Sequence, residues 1–222
     1  VKIICVVGTR PEAIKMAPII LELKSRDDVD CKVLATAQHR QMLDQVFRVF
    51  QIKPDIDLDI MKSNQTLTKL TSRLLLNLDK VFLEERPDIV LSQGDTTTVM
   101  TTALTCFYHR IAFGHVEAGL RTWDISNPFP EEMNRVVSGK LSEWHFAPTE
   151  GSRQNLLKEG VDDSQIVVTG NTVIDALKIA TTKKSEIGVS LDKSKILILV
   201  TAHRRENFGL PMREICRAVL AL

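Results

Sequence analysis

The residues of this chain that could do chemistry stand where apolar runs stop. Gly8-Thr9-Arg10-Pro11-Glu12 follows the run that ends at Val7. A small residue, a hydroxyl and an arginine at a helix start suit an anion, and Lys15 adds a cation one turn on. The same pattern also suits an ordinary turn with a surface arginine. Gln38-His39-Arg40-Gln41 follows a second run, as ligand donors or as a solvated helix start. Asp95 comes just after the run ending at Ser92. It is placed either to cap the next helix or to move a proton at a sheet edge. Glu117 directly continues the run Ile111 to Val116. A carboxylate there is costly to desolvate unless something uses or pairs it, and Arg121 is the obvious partner. Glu131 and Glu132 follow Pro130, and helix-start chemistry alone accounts for both. His203-Arg204-Arg205 closes the run Ile196 to Thr201, as a site for a phosphorylated ligand or as a basic surface turn. His109 and His145 lie beside apolar stretches and read as structural. Taken together, these are cations able to hold a diphosphate beside carboxylates able to move protons. That combination points to acid–base chemistry on a phosphorylated substrate.

Those residues need a scaffold, and the hydrophobic pattern supplies one. Strands are expected at Lys2–Val7, Cys31–Ala37, Ile89–Ser92, Ile111–Val116, Trp144–Ala147, Gln165–Val168 and Ile196–Thr201. Helices are expected after Pro11 and over Gln41–Phe50, Leu67–Phe82, Thr97–Tyr108, Glu131–Leu141, Ser152–Glu159, Val173–Thr181 and Met212–Leu222. Strands alternating with helices imply a mainly parallel sheet covered on both faces. Ligands of such sheets bind beyond the carboxyl ends of the strands, which is where the polar clusters fall. Residues 183–195 are polar, carry Gly188 and read as a linker.

Composition removes other classes. Lys and Arg number 29 against 28 Asp and Glu, a net charge of +1, so no general field draws nucleic acid or a membrane surface. Of the 222 residues 44% are hydrophobic, which is ordinary for a globular chain. The aliphatic runs are far shorter than the about 20 residues of a membrane helix. The first of them is followed at once by Gly8, Thr9 and Arg10, a poor signal peptide. Cys5, Cys31, Cys106 and Cys216 lack zinc spacing and read as free thiols in a reducing compartment, hence the cytoplasm. No two of the ten glycines are two apart, so there is no G-x-G dinucleotide fingerprint. Gly114 and Gly119 have P-loop spacing, but Leu120 stands where lysine is required. No G-x-S-x-G elbow is present.

The motifs resemble one family, the bacterial non-hydrolysing UDP-N-acetylglucosamine 2-epimerases. The matching stretches are Gly8–Pro18, Thr36–Gln45, Gly94–Thr98, Gly114–Thr122, Pro130–Arg135, Thr149–Leu157, Gly170–Ala176 and His203–Asn207, in family order along the chain. The resemblance implies an α/β, GT-B-like fold of two Rossmann-like domains with the site between them. Residues 1–182 then form the first domain with the acid–base residues, 183–195 a linker, and 196–222 the start of a truncated UDP-binding domain. It implies interconversion of UDP-GlcNAc and UDP-ManNAc with no cofactor and no metal, supplying ManNAc for cell-surface polysaccharide. The implied route is anti elimination of UDP to 2-acetamidoglucal, then re-addition. It also implies Asp95, Glu117 and Glu131 as acid–base groups, His203 near the diphosphate, and Arg10, Lys15 and Arg204 as substrate-binding. Gln38, His39 and Gln41 would contact an activating UDP-GlcNAc, and the full-length protein would be a homodimer. Crowding of the three carboxylates should raise at least one pKa toward neutrality, with the arginines limiting the rise. The 222 residues alone are expected not to epimerise, and their apolar final segment is expected to be sticky. Alternatives are a hydrolysing epimerase, a GT-B glycosyltransferase, or a non-catalytic nucleotide-sugar-binding domain.

Overall fold

A computed structural model describes residues 1–36, 40–60, 65–183, 192, 194–202 and 208–221, with backbone alone at 40–42. The chain divides into two compact units, Val1–Lys183 and Lys184–Leu222. In the first, seven strands form one parallel sheet: β1 (Lys2–Val7), β2 (Asp30–Ala35), β3 (Ile56–Asp57), β4 (Ile89–Gln93), β5 (Ala112–Val116), β6 (Trp144–Ala147) and β7 (Ile166–Val168). Between and after them run the helices α1 (Arg10–Lys24), α2 (Arg40–Phe50), α3 (Leu67–Glu85), α4 (Thr97–His109), α5 (Glu131–Leu141), α6 (Glu150–Lys158) and α7 (Val173–Thr181).

Side-chain alternation along the central strands explains the layering. Ile3, Cys5 and Val7 point to one face of the sheet, where α1, α2 and α7 cover them through Met16, Ile20, Phe47 and Ala176. Ile4 and Val6 point to the other, under Leu70, Leu74 and Leu78 of α3 and Val99 and Ala103 of α4. A strand buried on both sides reads as the continuous apolar run seen in β1. Leu74 and Leu78 are fully buried, so truncating either to alanine costs about 2–5 kcal/mol.

The spatial order β3-β2-β1-β4-β5-β6-β7 fixes where a ligand can enter. From β1 the chain winds outward through β2 and β3, then returns to start β4 on the other side of β1. The two connections leave β1 and β4 in opposite directions and open a crevice beyond their carboxyl ends. The turns Gly8–Thr9 and Gly94–Thr96 face each other there.

Several expectations are corrected. Ile196–Val200 is not a strand: these residues lie outside regular structure and are exposed, Ile196 at 91%. A strand needs partners for its backbone groups, and a single apolar run has none of its own. Helix α6 begins at Glu150, not Ser152, because the Thr149 hydroxyl caps it by accepting the Ser152 amide at 3.1 Å. The two-residue β3 escaped the pattern because it is too short to show alternation. In the second unit α8 runs Leu210–Leu220, beginning earlier than Met212 because Pro211 suits a first helical turn. Among the described residues no helix is long and apolar enough to cross a membrane.

Candidate functional site

A cleft of about 140 Å3 opens at the crevice between β1 and β4. Thr9, Glu12 and Lys15 line it from α1 and the turn before it, and Gln93, Gly94, Asp95 and Thr96 from the end of β4. Glu117 joins from beyond β5 and Arg135 from α5.

Glu117 has an unusual backbone. Its φ is +64°, the left-handed region that costs a non-glycine residue about 1–2 kcal/mol. The bend turns its carboxylate to Lys15, whose Nζ lies 2.8 and 2.5 Å from the two oxygens. Gln93 Nε2 donates to the same carboxylate at 2.8 Å. Arg121 is not its partner: that guanidinium grips Glu159 at 2.7 and 2.8 Å, away from the cleft. The expected pairing fails because the chain turns sharply after Glu117, so four residues on is not one helical turn away.

Asp95 is not a helix cap. That place belongs to Thr96, whose hydroxyl accepts the Val99 amide at 3.4 Å. The Asp95 carboxylate instead accepts from Arg135 Nε and Nη2 at 3.0 and 2.6 Å. Its carbonyl accepts from Asn134 Nδ2 at 2.8 Å, and His115 Nε2 meets the Gly94 carbonyl at 2.7 Å. Glu132 steadies Arg135 through Nη1 at 2.9 Å and accepts the Thr122 and Trp123 amides at 2.9 and 3.2 Å. Burial pushes the Glu132 carboxyl up, but the guanidinium and the two amides outweigh it and hold it below the usual range. His115 and His145 sit side by side on β5 and β6, both buried. Burial is the main cause that drives each of them down to about 4, so they are neutral scaffold groups, as their apolar surroundings suggest.

The carboxyl raised toward neutrality is Glu12, which was not among the three expected to crowd one another. It is fully buried, and desolvation lifts it to about 7 against the Thr96, Gly8 and Thr9 hydrogen bonds, with the Asp95 charge adding a little. Burial is therefore the main cause, not mutual repulsion. The T-x-x-E spacing of Thr9 and Glu12 is a capping-box signal that could have found it. Gln93 and Arg135 were missed too, since each acquires meaning only across the fold.

The structure brings Asp95, Glu117 and Lys15 together in one cleft. Glu131 is half-buried at the first position of α5, one turn before Arg135, but does not line the cleft. Arg10 is exposed at the start of α1 and does not line it either. Gln41 falls in α2 with its backbone alone described. His203, Arg204, Gln38 and His39 lie outside the described residues.

A doubly covered parallel sheet with its site at the β1/β4 crevice defines a Rossmann-like domain of the GT-B type. A family model described as UDP-N-acetylglucosamine 2-epimerase matches residues 21–222. The UDP-N-acetylglucosamine 2-epimerase of Bacillus subtilis (strain 168) is 54% identical over 220 residues, covering 98% of this chain and 58% of that protein. The crystal structure of UDP-GlcNAc 2-epimerase from Neisseria meningitidis bound to UDP-GlcNAc is 52% identical with a TM-score of 0.79, over 82% of this chain and 50% of that one. S. aureus MnaA, solved with UDP, is 47% identical with a TM-score of 0.87, over 99% of this chain and 58% of that one. The chain belongs to the UDP-N-acetylglucosamine 2-epimerase family. It spans 58% of the length of the Bacillus relative.

Proposed function

We propose that this chain contributes the acid–base half of a non-hydrolysing UDP-N-acetylglucosamine 2-epimerase, which interconverts UDP-GlcNAc and UDP-ManNAc. The observation that carries the reading is the pair of carboxylates, Asp95 and Glu117, in one cleft and each held by its own cation. In the proposed reaction a base removes the C2 hydrogen of UDP-GlcNAc as a proton. The C–H electron pair forms the C1=C2 bond, and the C1–O bond breaks to release UDP. UDP then adds back to C1 of the 2-acetamidoglucal, and a proton is delivered to the opposite face of C2. No redox cofactor enters, because oxidation and reduction cancel within the substrate.

Asp95, Glu117 and Glu131 are the proposed acid–base groups. Lys15 both orients Glu117 and places a positive charge near the cleft, where leaving diphosphate needs stabilising. Arg10, Arg204 and His203 are proposed to complete the nucleotide contacts, and Gln38, His39 and Gln41 to contact a second UDP-GlcNAc. Binding of UDP-GlcNAc and of UDP by the Neisseria and S. aureus relatives supports this ligand class. We further propose a cytoplasmic homodimer that supplies ManNAc units for surface polysaccharide.

Solvent exchange tests the reading directly. In the full-length enzyme in D2O, Glu117→Gln and Asp95→Asn are each expected to abolish deuterium incorporation at C2, while UDP-GlcNAc still binds by calorimetry. Exchange at the unsubstituted rate in either variant would remove that carboxylate from the mechanism. Free UDP and ManNAc as final products would instead indicate the hydrolysing reaction.

A further inference from the structure

Glu12 has a hydrogen-bond set that a helix cap alone does not explain. Its Oε2 accepts the amides of Gly8 and Thr9 at 2.5 and 2.8 Å, which is ordinary first-turn capping. Its Oε1 accepts the hydroxyl of Thr96 at 2.5 Å, from a turn 84 residues away. Thr96 is itself the cap of α4 and the neighbour of Asp95. One carboxylate therefore joins the two turns that flank the crevice. We propose that Glu12 is a positioning residue of this site, whose ionised carboxylate ties the turn after β1 to the turn after β4 and so sets Lys15 and Asp95 at their working separation.

The chemistry of the donors selects the ionised form. Three donors point at two oxygens, and all three are satisfied without a proton on Glu12. A neutral acid must carry its proton on Oε1, since Oε2 already faces two N–H groups. That proton would point at Thr96 Oγ1 and expel the threonine's own hydrogen from the contact. The bond between the turns would reverse and lose a charged partner, which makes a hydrogen bond roughly twice as strong.

The surroundings supply this carboxylate with no cation among the described residues. Lys15 on α1 is committed to Glu117 beyond β5, and Arg135 on α5 to Asp95 and Glu132. Glu12 is 2% exposed, and burial lifts it to about 7, so the tie loosens as pH falls through neutrality. A structural cap alone has no need of such a position: a neutral side chain caps a helix as well, without the desolvation cost.

Two measurements test this, one of them independent of the reaction proposed above. In nuclear magnetic resonance spectra of this chain, the amide signals of Gly8, Thr9 and Thr96 are expected to titrate together with a midpoint of about 7. They should stay flat through neutrality in Glu12→Gln, whose amide imitates the neutral acid. Separate or absent titration in the unsubstituted chain overturns the proposal. In the full-length enzyme with UDP-GlcNAc, Glu12→Gln is expected to lower kcat by about 10- to 100-fold, with KM nearly unchanged and the acidic limb of the kcat profile lost. Thr96→Val should behave like Glu12→Gln, and Thr96→Ser, which keeps the hydroxyl, should retain the limb. All three variants must keep the circular dichroism of the parent. A folded Glu12→Gln with the parent's kcat and pH profile overturns the proposal. Joint titration of the amides in this chain, beside a full-length protein that converts no UDP-GlcNAc, would leave the tie in place and refute the proposed reaction.

Discussion

At the residue scale, the cleft holds paired charges around Glu12, a carboxyl with no cation beside it among the described residues, and burial shifts Glu12 and the nearby His115 in opposite directions. The folded value of Glu12, about 7, lies above its ordinary 4.5. Between those values the folded protein keeps a proton that the unfolded chain has released. Its contribution to stability is therefore full below pH 4.5 and lost as pH rises through 7. The Glu12→Gln variant removes that term. Its stability relative to the parent, measured by urea denaturation, should rise across this window by up to about 3 kcal/mol. A constant difference would show that burial does not hold the proton. His115 has the opposite sign, with a folded value of about 4 below its ordinary 6.5. Its contribution is full above 6.5 and lost as pH falls through 4. His115→Gln keeps a donor for the Gly94 carbonyl but not the titration, so acidification over that window should destabilise the variant less than the parent. The site thus carries a carboxylate whose ionisation costs stability, as strained functional sites do.

At the element scale, each functional side chain owes its place to a strand end and to a helix that comes back across it. Strand β5 ends at Val116, the chain must fold back at once after Glu117, and Gly119 makes that possible. Its φ is +85°, and an added Cβ would run into the backbone carbonyl of Ser152 at the first turn of α6. Gly119→Ala is expected to cost about 2–3 kcal/mol by chemical denaturation, since neither strain nor clash can relax through a flexible side chain. It should also displace Glu117 from Lys15. A variant within 0.5 kcal/mol of the parent, about the limit for a neutral surface change, would show that the turn has slack. Helix α5 plays the complementary part. Its Glu132–Arg135 pair and Asn134 hold Asp95. Glu131 and Glu132 look alike as first-turn acids in the sequence, yet Glu132 is buried and structural while Glu131 is left available.

At the scale of the whole molecule, the three apolar clusters all lie within residues 3–179. Residues 1–183 by themselves are therefore expected to unfold in one cooperative urea transition, with the midpoint of the 222-residue chain. A midpoint well below it would show that residues 184–222 are part of the same folding unit. The exposed run Ile196–Val200 shows the limit of pattern reading, because its apolar residues announce burial without naming what buries them. The same limit applied at the cleft. Periodicity marked most of the alternating strands and helices, the doubly buried sheet, the strand-end addresses of Asp95 and Glu117 and the place of Lys15 one turn into α1, because burial on a regular backbone repeats at fixed spacing. Which partner each charge takes was decided only by tertiary structure. Arg135 reaches Asp95 across 40 residues, Lys15 reaches Glu117 across 102, and Glu12 reaches Thr96 across 84. Ion pairs and hydrogen bonds act over a few ångströms in space, and the order of strands in the sheet sets that distance.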